Sequence, residues 1–184
     1  MTNILLKFDD GTPVNLEQML LAKEQRVEHQ RNAIKCYPFP LISLSLVIPG
    51  PIKKSTGTKV LFKEAITAIH HLLAKNTLQI IHEEQFCALT GYEAIISVEC
   101  SSDQLKQLCI EIENNHPLGR LWDIDVIDAK TEQSVSRTQL GHQSRQCLVC
   151  QDMAKVCGRS RKHTVDDMLA AIEKMTNDYF NLAT

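Results

Sequence analysis

Gly119-Arg120-Leu121-Trp122-Asp123-Ile124-Asp125-Val126-Ile127 alternates apolar residues with two carboxylates two positions apart. A strand points successive side chains to opposite faces, so Asp123, Asp125 and Ile127 share one face and Trp122, Ile124 and Val126 the other. Two acids on one strand face offer hard oxygen ligands to magnesium, or activate a hydroxyl. A half-exposed strand with an acidic outer face has the same pattern, and the short motif alone does not choose between the two.

Upstream, Ser102 precedes an amphipathic run that predicts a helix over 103–115, stopped at His116-Pro117 because proline cannot continue a helix. Before it, Tyr92, Ala94, Ile96 and Val98 alternate with Glu93, Ile95, Ser97 and Glu99 in a strand over 92–100, and Leu89-Thr90-Gly91 turns back to a weaker strand over 78–87. Residues 41–48 predict a further strand, with Ile42, Leu44, Leu46 and Ile48 opposite Ser43, Ser45 and Val47, and 59–75 an apolar-rich helix. The order strand, helix, strand, strand, helix, strand over 41–129 is that of an α+β, ferredoxin-like (βαββαβ) antiparallel sheet. Both helices then cover one face, and Asp123, Asp125, Ser43, Ser45, Glu93 and Glu99 point from the other. The first and last strands are antiparallel neighbours, which sets Arg120 and Asp123 beside the turn after the first strand.

That turn, Pro49-Gly50-Pro51-Ile52-Lys53-Lys54-Ser55-Thr56-Gly57-Thr58, leads into a helix N-terminus, where free N–H groups and the helix dipole favour an anion. An ordinary proline-rich turn has the same composition, and P-loop spacing is absent. An acid pair beside an anion-binding turn is what phosphoryl or nucleotidyl transfer needs.

Two segments flank this core within a single domain of 184 residues. Residues 1–36 predict a short strand over 3–8 and a helix over 16–34, opened by an Asn15/Gln18 capping box, with Leu16, Met19, Leu20, Lys23 and Val27 near one face and its charges in i,i+4 pairs. Residues 134–184 are a basic Cys/His segment plus a C-terminal helix; 137–163 hold six Arg and Lys against one acid, Asp152. The patch suits a polyphosphate, and equally a solvated loop or a surface for an acidic partner. Cys147-x-x-Cys150 with Cys157 and His163 supplies four ligands of the kind a structural zinc takes; the competing reading is reduced, partly buried thiols. Thr164 with Asp167 caps the last helix, whose Val165, Met168, Leu169, Ile172 and Met175 form a packing stripe.

A formal net charge of -2 excludes a globally polyanion-seeking chain. The acidic start Met1–Asp10 and the lack of any spanning apolar run predict a cytoplasmic protein with no membrane association. Seven cysteines argue against a disulfide framework, and the scattered Cys36, Cys87, Cys100 and Cys109 read as buried small hydrophobes. A ferredoxin-like sheet with a zinc knuckle also builds non-catalytic RNA-binding modules. With 5% aromatic residues and an acidic open face, however, this sheet lacks base-stacking platforms, so no nucleic-acid partner is expected. A carrier-protein chaperone without chemistry would explain the basic patch but not the acid pair.

Longer strings are more specific. His116-Pro117-Leu118-Gly119-Arg120-Leu121-Trp122-Asp123-Ile124-Asp125-Val126, Ile48-Pro49-Gly50-Pro51, Val135-Ser136-Arg137 and Cys147-x-x-Cys150 through Cys157-Gly158-Arg159-Ser160-Arg161-Lys162-His163 resemble the apo-citrate lyase phosphoribosyl-dephospho-CoA transferases, or holo-citrate lyase synthases. The resemblance covers nearly the whole chain, including Leu20-Leu21-Ala22-Lys23-Glu24-Gln25-Arg26; Trp122 for phenylalanine and Lys23 for arginine are conservative departures. It implies a nucleotidyltransferase-type enzyme of citrate lyase maturation. Such an enzyme moves the prosthetic group from 2′-(5″-triphosphoribosyl)-3′-dephospho-CoA to a serine of the citrate lyase acyl carrier (gamma) subunit, releasing pyrophosphate. In that chemistry Asp123 and Asp125 are expected to hold magnesium, with one of them assisting deprotonation of the serine. Gly50, Lys53, Lys54 and Ser55 are expected to hold phosphates. Arg120, Arg137, Arg159, Arg161 and Lys162, with His163, are expected to neutralise pyrophosphate or meet an acidic carrier.

Overall fold

Residues 6–182 are described by the computed structural model. Helix α1 (Leu16–Cys36) precedes strand β1 (Leu41–Leu46) and helix α2 (Thr56–Lys75); the hairpin β2 (Ile80–Ala88) and β3 (Gly91–Val98) then leads to α3 (Ser102–Asn115). A single 3₁₀ turn at Gly119–Leu121 opens β4 (Trp122–Ile127), and helices α4 (Ala154–Ser160) and α5 (Val165–Leu182) follow. The result is a mixed α+β architecture around one four-stranded antiparallel sheet, ordered β2-β3-β1-β4. The strand expected at 3–8 lies partly outside the described residues; at its near end Leu6 and Phe8 are buried but belong to no strand.

Local chemistry accounts for the element ends. Asn15 and Gln18 form the reciprocal cap of α1, and Ser55 with Thr58 does the same for α2, which therefore begins three residues before the expected start. Ser101, not Ser102, caps α3 by accepting from the Gln104 N–H. The 3₁₀ turn lies tight against the end of α3: a Cβ on Gly119 would come within 2.5 Å of the Ile112 carbonyl oxygen, so glycine is required there.

Register follows the alternation. β1 and β4 pair with Leu46 opposite Trp122, Ser45 opposite Asp123 and Ser43 opposite Asp125. Trp122, Ile124 and Val126 face the main core with Ile42, Leu44, Ala94 and Ile96, beneath Leu61, Ala65 and Ile69 of α2, Leu105 and Cys109 of α3, and Ile172 of α5.

The opposite face is not open as expected, because α1 lies across it. Ala33 and Ile34 pack on Leu41, Ile95 and Ile127 in a second cluster. This inverts the expected orientation of α1. Leu16, Leu20 and Val27 are exposed, while the small Ala22 and Ala33 face inward and let the helix approach the sheet. Its charges are not in i,i+4 pairs among the described residues; Arg26 crosses to Glu93 at 2.5 Å and Arg31 to Glu132 at 3.9 Å. The cysteine expectation also needs correction. Cys109 is buried, but Cys36 at the end of α1 and Cys87 on the edge strand β2 are exposed, and Cys100 is half-buried. No helix among the described residues is long and apolar enough to cross a membrane.

Candidate functional site

Where the 3₁₀ turn and the end of α3 meet the C-terminal segment, a cleft of about 960 Å³ opens, a size that accommodates a large organic ligand. Arg120, Arg137, Arg145, Arg161, His142 and His163 line it. The cations are organised by one acid the sequence did not single out. Glu113 on α3 is 3% exposed, accepts from Arg137 at 2.9 Å, is also gripped by Arg145, and receives the Ile124 N–H at 3.2 Å. Burial pushes its carboxyl upward, against the pull of Arg145, Lys106 and Arg137.

Arg145 links the cleft to the acid pair, because its other nitrogen donates to Asp123 at 3.0 Å. Asp123 and Asp125 thus stand on the expected face of β4 but under cations: Arg145 on one side, Arg26 of α1 close enough to interact with both carboxylates, and Lys106 below. Gln30 of α1 donates to Ser43 on the same face. The outer edge of Asp125 meets solvent, yet the protein crowded around it and then the Asp123 charge push its carboxyl upward. Two carboxylates on one strand face suit a hard cation, and either could accept a proton.

The turn before α2 is placed differently. Gly50, with φ +75°, lies against Val165 at the cleft margin, whereas Lys53, Lys54 and Ser55 do not line the cleft. Lys53 donates to the Ile48 carbonyl at 2.5 Å, and its burial lowers its pKa. The N–H groups that would face an anion are also engaged: Thr56 donates to Asp10, Gly57 to the Lys7 carbonyl and Thr58 to the Ser55 hydroxyl. The Asp10 carboxylate therefore sits where the sequence placed a phosphate.

The basic run divides as well. Arg161 ends α4 in a left-handed conformation, φ 49°, and lines the cleft; its guanidinium has no partner among the described residues. Arg159 is exposed and outside the lining, and Lys162 pairs with Asp152 at 2.6 Å. Arg120 does line the cleft, but it donates to the carbonyls of Gln146 and Cys147, clamping the segment that follows. The Cys147, Cys150, Cys157 and His163 ligand atoms all lie within 4.8 Å of one another, a cluster that could hold a metal ion.

Glu113 and Lys106 had a legible signal. On α3 they stand next to the apolar stripe of Leu105, Cys109 and Ile112, and charges near a buried stripe require partners. Arg145 and Arg26 had none, since their roles depend on a loop and on which sheet face α1 covers.

Comparison with known proteins adds a finding. The family model described as apo-citrate lyase phosphoribosyl-dephospho-CoA transferase matches residues 14–179. Proteins bearing that name are 37% identical over 165 residues in Escherichia coli O7:K1 and 35% identical over 176 residues in Escherichia coli O1:K1, spanning 90% and 96% of both chains respectively. One from Shigella boydii serotype 18 is 37% identical over 165 residues, again 90% of each chain.

Proposed function

The chain belongs to the apo-citrate lyase phosphoribosyl-dephospho-CoA transferase family, and on that premise we propose that its arginine-lined cleft receives the triphosphate end of 2′-(5″-triphosphoribosyl)-3′-dephospho-CoA. A serine hydroxyl of the citrate lyase acyl carrier subunit attacks the α-phosphate. The new Oγ–P bond forms as the bond to the bridging oxygen breaks, and pyrophosphate leaves. The single observation behind this reading is the concentration of four arginines around one cleft in a chain with a net charge of -2. Arginine forks suit phosphate oxygens, and a negative leaving group needs that neutralisation. The non-catalytic binding-module reading is not favoured, since the relatives carry transferase names.

Within this reading the residues divide the work. Arg161, with no partner to give up, binds the polyphosphate first; Arg145 and Arg137 hold it at the price of loosening their grip on Glu113. Asp125, whose carboxyl is raised by its surroundings, accepts the proton of the serine, and Asp123, outside the cleft lining, is joined to it through Arg145. A magnesium ion accompanying the triphosphate would take its protein oxygens from these two residues and supply charge neutralisation. The strand order, with β1 between β3 and β4, and the placement of α2 and α3 on one face support a ferredoxin-like reading of the βαββαβ core.

The direct test is mass spectrometry of the apo carrier incubated with this protein, the triphosphate precursor and magnesium. A mass gain equal to the prosthetic group is expected, and an unmodified carrier would overturn the proposal. The split of the basic run gives a sharper expectation. Arg161→Ala should weaken precursor binding, titrated calorimetrically without carrier, by about tenfold to a hundredfold, the value of a charge-assisted contact. Arg159→Ala should stay within about twofold, because that side chain lies outside the cleft. Equal affinities for wild type and Arg161→Ala would remove Arg161 from the site.

A further inference from the structure

We propose that Cys147, Cys150, Cys157 and His163 bind one zinc ion, and that this closed centre fixes the outer wall of the cleft. The four ligand atoms come from three places: the loop at Cys147 and Cys150, helix α4 at Cys157, and the link to α5 at His163. They converge with all mutual distances within 4.8 Å; Cys150 Sγ lies 3.4 Å from Cys157 Sγ and 3.2 Å from His163 Nε2. A tetrahedral zinc with Zn–S of about 2.3 Å and Zn–N of about 2.0–2.1 Å places its ligands roughly 3.4–3.8 Å apart. The cluster is close to that size without rearrangement of the chain. Three thiolates and an imidazole select zinc over the hard cations, and four protein ligands leave no open position, so the ion is structural.

The segment needs such a centre. Between Asp128 and Ala171 the buried apolar residues are Cys147 and Cys157 themselves, so these 44 residues have almost no hydrophobic core to hold them. Where burial is that sparse, metal binding supplies the missing folding free energy. Backbone bonds spread the constraint outward. Cys147 N–H donates to the Asp152 carbonyl, Lys162 N–H to the Cys157 carbonyl, and Arg120 reaches the carbonyls of Gln146 and Cys147. Cys147, Cys157 and His163 also line the cleft, and Arg145 and Arg161 stand two residues from Cys147 and His163 respectively. Loss of the ion would free the backbone that carries both arginines, leaving Arg145 tethered only through Glu113 and Asp123, while the sheet stays intact.

The test does not depend on the transferase reading, because it measures metal and backbone protection. Elemental analysis of the purified full chain should find one zinc per chain, and cobalt(II) in its place should give the intense visible bands of a tetrahedral thiolate centre. Cys150→Ser and His163→Ala should lose the ion, whereas Cys36→Ser and Cys87→Ser, outside the cluster, should keep it. In hydrogen exchange of the wild-type chain, a strong chelator should deprotect residues 137–163 and leave β1, β3 and β4 protected. Wild-type protein that is folded and metal-free, a Cys150→Ser variant with full zinc content, or unchanged protection after the zinc is stripped would each overturn the proposal. If Cys150→Ser does not fold, the wild-type metal and exchange measurements decide alone.

Discussion

Asp123→Asn is expected to slow transfer to the carrier serine by about a hundredfold or more, the usual cost of removing one charge-stabilising group from a transfer site. The same change should barely move the thermal midpoint. The Asp123 side chain is 43% exposed and its ion pair with Arg145 is partly solvated, an interaction worth about 0.2–1 kcal/mol. Asp125→Asn should be comparably slow, and the two are separable by how they fail. If Asp125 accepts the serine proton, its variant loses the acid limb of the pH–rate profile, while Asp123→Asn keeps that limb and needs more magnesium for half-maximal rate. The direction follows from the environment: neighbouring protein and the Asp123 charge raise the Asp125 carboxyl, bringing it nearer to neutral pH as a base. Rates near wild type for both variants would exclude the pair from the chemistry.

Glu113→Ala should have the largest effect on stability, about 3–5 kcal/mol in a denaturant titration with the slope unchanged. Glu113 is 3% exposed and neutralises Arg137 and Arg145 together, and its carboxylate also receives the Ile124 N–H. Its removal leaves two guanidinium groups facing each other and a buried amide without an acceptor. Glu113→Gln keeps part of the hydrogen bonding but not the charge, so its loss should be smaller. A loss below about 1 kcal/mol for Glu113→Ala would mean that the two arginines find other partners, and that the acid is not what holds the cleft floor to α3.

Much of this architecture is local and therefore legible in one dimension. Strict alternation over Trp122–Ile127 fixes which residues share a face because the strand period is two, and the β1 and β4 register bears this out at Ser43 and Asp125. The Asn15/Gln18 cap and the Thr164/Asp167 pair act within three residues, so their types and spacing suffice. The family resemblance likewise rests on contiguous strings and is matched by the family model over residues 14–179.

What the sequence could not decide are the arrangements that depend on where distant segments come to rest. Helix α1 has a weak apolar stripe, and only packing shows that Ala33 and Ile34 rather than Leu16 and Leu20 face the sheet, carrying Arg26 to the acids. The turn at Lys53 has the composition of an anion site, but a bond from Lys53 to Ile48 and the arrival of Asp10 at the start of α2 take its donors. Arg145 belongs to a loop with no periodicity, so nothing along the chain indicates that it bridges Glu113 and Asp123. Periodicity reports which face a residue is on, whereas long-range electrostatics and loop closure decide what that face meets.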